Sequence, residues 1–483
     1  MKRSRRSNPG AGAARAEHPP PERPEDEKLP IHLQITYGTQ HILAMYAGVI
    51  TPPLIVGAAA GLTVADIGIL VSAALLVSGL GTLLQTLGVW RFGARLPLVI
   101  GISFVPVATM TALADESGLP VVFGATLAAG LFGLLVAPFF AGLVRFFPPV
   151  VTGSVITVIG ISLVPVAVGW VAAGAESAPA SGDLALAGAT LLIVLILSWV
   201  LPGVWSRMAI LGGLVLGTVI AALFGRVDFS AVGDGPVFSF GQPLYFGFPE
   251  FEVAAILIMC IVMMVILTEG VADILAVGEI VGSKVDSRRL ADGLRADAGA
   301  TALAPLLNSF PASTFSQNVG LIALSRVSSR YAVAIGGLIL IALGLFPVLG
   351  RVVAMIPMPV LGGAGLVLFG TVAAAGIRTL TKVDYDRSLN LVIVAVAIGF
   401  GVIPIAAPDF FSGFPNWLAT VMHSGIVGAA ILALFLNLVF NELGRRPSAP
   451  ESTPPAFATP HPPVVPTQPT SPEQADVATS QKE

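Results

Sequence analysis

Charge is scarce in this chain. Of its 483 residues, 11% are Asp, Glu, Lys or Arg and 55% are hydrophobic, whereas about a quarter of a soluble domain is charged. A soluble chain of this length has no interior that would hide so much apolar surface, which leaves a polytopic membrane protein. There is one cysteine, Cys260, within an apolar run. That excludes an intramolecular disulfide framework and a cysteine-based metal site. Five scattered histidines beside one thiol supply neither a metal cluster nor a nucleophile. No metal, no cofactor and no enzymatic activity are therefore expected. A net charge of −3 gives no reason to expect a nucleic-acid partner. No secretory signal is visible either, because no apolar core follows the basic N-terminal residues before His32.

What is present is a succession of apolar segments matching the hydrocarbon thickness. Seven lie in the first half, at 33–57, 64–88, 97–114, 121–143, 149–172, 183–202 and 206–225. Seven more lie at 252–280, 288–307, 309–325, 331–350, 353–376, 388–405 and 417–441. Residues 1–32 and 442–483 are Pro-rich and polar, so both are expected to be disordered tails. With both tails cytoplasmic, thirteen lysines and arginines, from Arg91 and Arg95 to Lys382 and Arg387, fall in inside loops. Only Arg226 and Arg351 fall outside. That asymmetry fits an even number of spans in the cell membrane. The basic residues Lys2, Arg3, Arg5 and Arg6 suit either a solvated tail or contact with anionic lipid.

Two segments break the pattern. Residues 308–326 are too short and too polar for an ordinary span. Pro311 donates no backbone hydrogen bond and restricts its predecessor, so 312–315 reads as an extended entry to a helix beginning at Ser316. Segment 3 opens with Pro97 and is likewise extended before turning helical. Each is the third span of its half, and seven spans per half give the halves opposite orientations. The expected fold is an all-α polytopic membrane protein of 14 transmembrane segments. These form two inverted 7-segment repeats, with short extended stretches in segments 3 and 10. Broken segments at matching positions point to a transporter's binding site, and two extended stretches can satisfy each other's backbone where lipid cannot. From physics alone, 308–326 is either such a site or a re-entrant loop with polar caps and no ligand.

Charge inside the membrane is the second signal. Glu269 and Asp273 lie four residues apart on one face of segment 8. Two carboxylates buried on one face are costly unless a proton is shared, and a proton held at depth suits proton coupling. Asp297 is a third buried acid, and His41, after Gln40, lies in segment 1. Taken singly, each equally suits a helix–helix hydrogen bond.

Residues 317–326, Gln-Asn-Val-Gly-Leu-Ile-Ala-Leu-Ser-Arg, resemble the signature of the nucleobase–ascorbate transporters, with Ser325 where the family usually has Thr. Gln40-His41, the Glu269 and Asp273 pair, and Gly293–Asp297 resemble that family's first, eighth and ninth spans. The resemblance covers about 33–441 and implies a core domain (33–143 and 252–350) moving against a gate domain (149–225 and 353–441), often in a homodimer. It implies that Glu269 and Gln317 bind a purine, with Phe104 stacking on it and Ser103 and Gly320 beside it. Asn318, Asp273, Asp297, His41 and Gln40 would support the site or carry protons, with His41 reaching across to segment 3. Gln at position 317 resembles the xanthine and uric acid branch. A primary amide offers a donor and an acceptor to the alternating groups of an oxidised purine. The implied partners are that small molecule, protons and membrane lipid. Uracil transport, or anion exchange of the sulfate-transporter type on the same fold, are the alternatives.

Overall fold

The computed structural model describes residues 23–443, apart from 144–145, 173–178, 204, 230–232, 234–236, 240–241, 386–388, 412, 415–421 and 423–424. The described residues are overwhelmingly helical. The first half runs α1 (Ile31–Ala59), α2 (Val64–Leu87), β1 (Ile100–Ile102), α3 (Val107–Ser117), α4 (Leu119–Val136), α5 (Phe140–Leu143), α6 (Pro149–Val171), α7 (Ser181–Val200) and α8 (Ala209–Leu223). The second half runs α9 (Val253–Val281), α10 (Ser287–Leu303), β2 (Ala312–Thr314), α11 (Ser316–Ser325), α12 (Arg330–Gly344), α13 (Pro347–Ala354), α14 (Met358–Leu380), α15 (Asn390–Ala406) and α16 (Gly425–Asn437). By length and composition, eight of these helices are able to cross a membrane alone, or nine if α12 and α13 count as one bent span. The expected fourteen is reached only by counting short, broken and polar elements as spans.

The order repeats. Each half begins with two helices, then a three-residue strand leading into a short helix, then a fourth helix. The helices sort into two packing groups. In one, α1, α2, α9 and α10 pack on the strands, with α12 against α1 and α2 and α4 against α9 and α10; in the other, α14 packs on α6, α7 and α8, while α15 and α16 pack on each other and on α6. Lipid gives helices no hydrophobic reason to associate, so close approach depends on small residues. A Cβ on Gly79 would lie 2.6 Å from the carbonyl oxygen of Gly337, and one on Gly160 would lie 2.2 Å from the nitrogen of Ala373. Both sites require glycine.

The structure departs from the sequence reading in three places. Segment 11 is not one straight span, because α12 and α13 meet at 80°. Pro347 has no N–H to continue the α12 ladder, and Phe346 before it is turned out of helix at φ −113°, ψ 86°. Segment 12 accordingly starts at Met358 rather than 353. The inner end of the expected N-terminal tail is built into the fold. Residues 24–26 form a single 3-10 turn, and the fully buried Glu25 pairs with Arg289 at 2.6 Å. Asp26 pairs with Arg330, also at 2.6 Å, and Ser329 donates to the carbonyl of Glu27. Composition reads that stretch as solvated, but its acids find half-buried arginine partners that only the folded chain supplies. Residues 1–22 and 444–483 lie outside the described residues.

Candidate functional site

The two strands cross as an antiparallel pair in the register Ile100 with Thr314, Gly101 with Ser313 and Ile102 with Ala312. Ser103 N–H donates to the Pro311 carbonyl and Phe315 N–H to that of Val99, both at 2.9 Å, which lengthens the ladder by one rung at each end. The outward edges of a two-stranded ribbon are left without strand partners, a serious cost at membrane depth. Two threonines meet them. Thr82 of α2 accepts from Ile100 N–H (3.0 Å) and donates to its carbonyl (3.3 Å). Thr301 of α10 does the same for Ala312, at 3.1 and 3.0 Å. The ring of Phe315 is wedged between Gly48 and Gly101, where a Cβ on either glycine would come within 2.6 Å of it.

Each strand feeds a short helix, so two helix N-termini with free N–H groups flank the crossing. At the mouth of α11 three acids gather. Glu269 and Asp273 lie one turn apart on α9, and Ser316 donates to Asp273 Oδ2 at 2.8 Å. Thr314 donates to Asp297 Oδ2, also at 2.8 Å. Asp297 is fully buried, lies against Gly270 and leaves Oδ1 without a partner among the described residues.

Asn318, also buried, reaches back to α1. Its amide nitrogen lies 3.1 Å from the carbonyl oxygen of His41 and 3.0 Å from His41 Nδ1. A carbonyl only accepts, so nitrogen must face it, and Nδ1 is then the acceptor with the ring proton on Nε2. His41 thus meets segment 10, not segment 3 as the resemblance implied. The reason is tertiary: α1 packs along both α3 and α11, and only α11 presents a side-chain amide there. Gln40 is half-buried on the same helix. Gln317 lies in the first turn of α11, but its side chain is outside the described residues. Gly320 is half-buried one turn further on. Ser103 is buried and its hydroxyl accepts from Val105 N–H at 3.2 Å, so it shapes the turn into α3.

Phe104 packs edge-on against Phe369 of α14 with ring centroids 6.4 Å apart, and Phe369 in turn lies 6.2 Å from Trp170 of α6. This aromatic row joins the two packing groups. Sequence reasoning missed Phe369 and Trp170, which carry no signal among so many apolar residues. It also missed Thr314 and Ser316, for which a signal existed: alternate residues of an extended stretch project to one side.

Comparison with known proteins shows likeness in sequence and in fold. A family model described as "Permease family" matches residues 32–410. The chain is 41% identical over 409 residues to a xanthine permease of Bacillus subtilis, covering 84% of this chain and 93% of that one. It is also 41% identical over 414 residues to the uric acid transporter UacT of Escherichia coli, covering 84% and 86%. Among solved structures, the transmembrane domain of the cyanobacterial bicarbonate transporter BicA is similar at a TM-score of 0.55 with 15% identity, covering 86% of this chain and 98% of that one. The murine anion transporter Slc26a9 in its inward-facing state is similar at 0.59 with 12% identity, covering 86% and 69%. At those identities the likeness is one of fold. Crossed strands, three acids at a helix mouth and a family match over most of the length lead to one assignment: the chain is a multi-pass membrane permease, not an enzyme, and belongs to the xanthine/uric acid permeases of the nucleobase–ascorbate transporter family.

Proposed function

We propose that the protein takes up an oxidised purine, xanthine or uric acid, together with protons, across the cell membrane. The observation that carries this reading is the gathering of Glu269, Asp273 and Asp297 at the N-terminus of α11, beside Gln317 and Asn318. Free helix N–H groups and an amide suit the carbonyls of an oxidised purine, and a carboxylate suits its N–H groups. Like-charged carboxylates packed this closely share protons, which supplies the coupling. The names of the relatives support the substrate class.

In this reading Glu269 and Gln317 bind the two edges of the base and Phe104 stacks on it, with Ser103 and Gly320 shaping the space. Asn318 and His41 hold α11 against α1, with Gln40 beside them. The strand-bearing helices are the moving core, and α6–α8 with α14–α16 are the gate. Both termini face the cytoplasm, and the gate supports a homodimer.

The test is uptake of labelled xanthine and uric acid into vesicles, with competition by purines, uracil and sulfate. Xanthine or urate uptake that collapses with a protonophore is the expected result. Uptake of sulfate but not of purines, or purine uptake driven by sodium without a proton gradient, refutes it.

A further inference from the structure

Two residues of the strand-to-helix junction make the same kind of bond to different acids. Thr314 donates to Asp297 and Ser316 donates to Asp273, each at 2.8 Å. Their access differs. Thr314 and Asp297 are both buried, at 3% and 0% exposure, so that pair is sealed and fixes β2 against α10. Ser316 is exposed although Asp273 is buried at 7%. Polar groups at a broken helix are not tolerated against hydrocarbon, so we take the space that the exposed Ser316 faces to be a cavity rather than lipid. Its hydroxyl therefore stands between that cavity and the acid. The charged groups acting on Asp273 are Glu269 from its own helix and Asp297 from α10, with Ser316 as its hydrogen-bond partner.

We propose that Ser316 passes protons between the cavity and Asp273 and, by reversing its hydrogen bond, turns a bound proton into a donor for a purine carbonyl. The idea rests on the proton-coupled reading above. A hydroxyl donates once and accepts through two lone pairs, and a carboxylate only accepts until it is protonated. With Asp273 ionised, the Ser316 O–H is spent on Oδ2 and only a lone pair faces the cavity. When a proton arrives as hydronium in the cavity, it passes to Ser316 Oγ, leaving neutral water, as the serine passes its own proton to Asp273. The serine is unchanged and one proton has moved. Protonated Asp273 then donates to Ser316 Oγ, and the serine O–H turns to the cavity. That donor lies in the first turn of α11, next to Gln317, where the carbonyl of an oxidised purine is proposed to bind. Proton loading thus raises affinity for the base, which is the linkage a symporter needs.

The full-length protein in vesicles tests this through the KM for labelled xanthine at acidic and at neutral external pH. In the wild type, KM falls as the pH is lowered. Ser316→Ala raises KM at acidic pH on the order of tenfold, the worth of one lost hydrogen bond, and flattens the pH dependence. Ser316→Thr keeps the hydroxyl and keeps both properties. A wild-type pH profile in Ser316→Ala, or Ser316→Thr as defective as the alanine variant, overturns the proposal. Should the alanine variant fail to reach the membrane, Ser316→Cys takes its place. Its thiol is a weak donor, so flattening is again expected and an unaltered profile again overturns the idea. Wild-type uptake indifferent to a protonophore fails the proton-coupled reading itself, and that failure is seen before any variant is made.

Discussion

The two strand-to-helix elements share a backbone and differ in chemistry. Around β1 the chain reads Ile-Gly-Ile-Ser-Phe, and around β2 it reads Ala-Ser-Thr-Phe-Ser-Gln-Asn. Both strands are finished by a threonine from a neighbouring helix, Thr82 for one and Thr301 for the other. One turn before those threonines stand Ser78 and Asp297, each with a buried oxygen lacking a partner among the described residues. The backbone solution is therefore used twice, because lipid makes the same demand on both strands. The acids cluster beside one strand only, as the proposed site would require. Symmetry belongs to the scaffold and asymmetry to the site.

The sharpest way to break that comparison is Glu269→Gln. If the chemistry lies with the second strand, uptake is lost by at least about a hundredfold, since the proton site and a base contact go together. Surface labelling shows whether the protein still reaches the membrane. Retained uptake in that variant removes Glu269 from the site.

Gln317→Glu comes next. It exchanges an amide donor for a further acid in the first turn of α11, at about 1–3 kcal/mol per mispaired contact, or about tenfold to a hundredfold in affinity. The ranking of competing bases should change, whereas Asn318→Ala should weaken uptake and leave the ranking alone. An inhibitor profile of both variants reads this directly, and an unchanged ranking for Gln317→Glu means that its side chain does not touch the base.

Thr82→Val and Thr301→Val sharpen the symmetric side of the comparison. Each strips one strand edge of its hydroxyl partner and should lower stability by similar amounts, on the order of 1–3 kcal/mol. Thermal unfolding in detergent measures both, and a large inequality between them means that the two crossings are not equivalent as scaffold. The smallest effect is expected far from both strands. Asp26→Asn cuts a half-exposed pair with Arg330 and should cost within about 1 kcal/mol, with uptake kinetics unchanged.

Much of this was legible in the chain. Pro97 and Pro311 mark the breaks because proline chemistry is local, and they lie three residues and one residue before the observed strands. Glu269, Asp273 and Asp297 stood out because charge in an apolar run is rare whatever surrounds it. Less legible were Pro347, whose 80° bend reads as part of one straight span at 331–350, and Glu25, which passed for a tail. Pro347 does not announce whether a neighbouring helix will hold the two pieces at an angle. Glu25 is followed by its arginine partner only 264 residues later.

By itself, then, the sequence determined the membrane class, the matching breaks in the two halves and the residue types that gather at the site. All of these follow from hydropathy, proline and charge, which act over a few residues. Only the tertiary structure decided the pairings: Asn318 with His41, Thr314 with Asp297, Ser316 with Asp273, and Phe104 with Phe369 across the two packing groups. Hydrogen bonds and ring contacts are set within a few ångströms, and residues up to 277 positions apart come that close only once helices have packed.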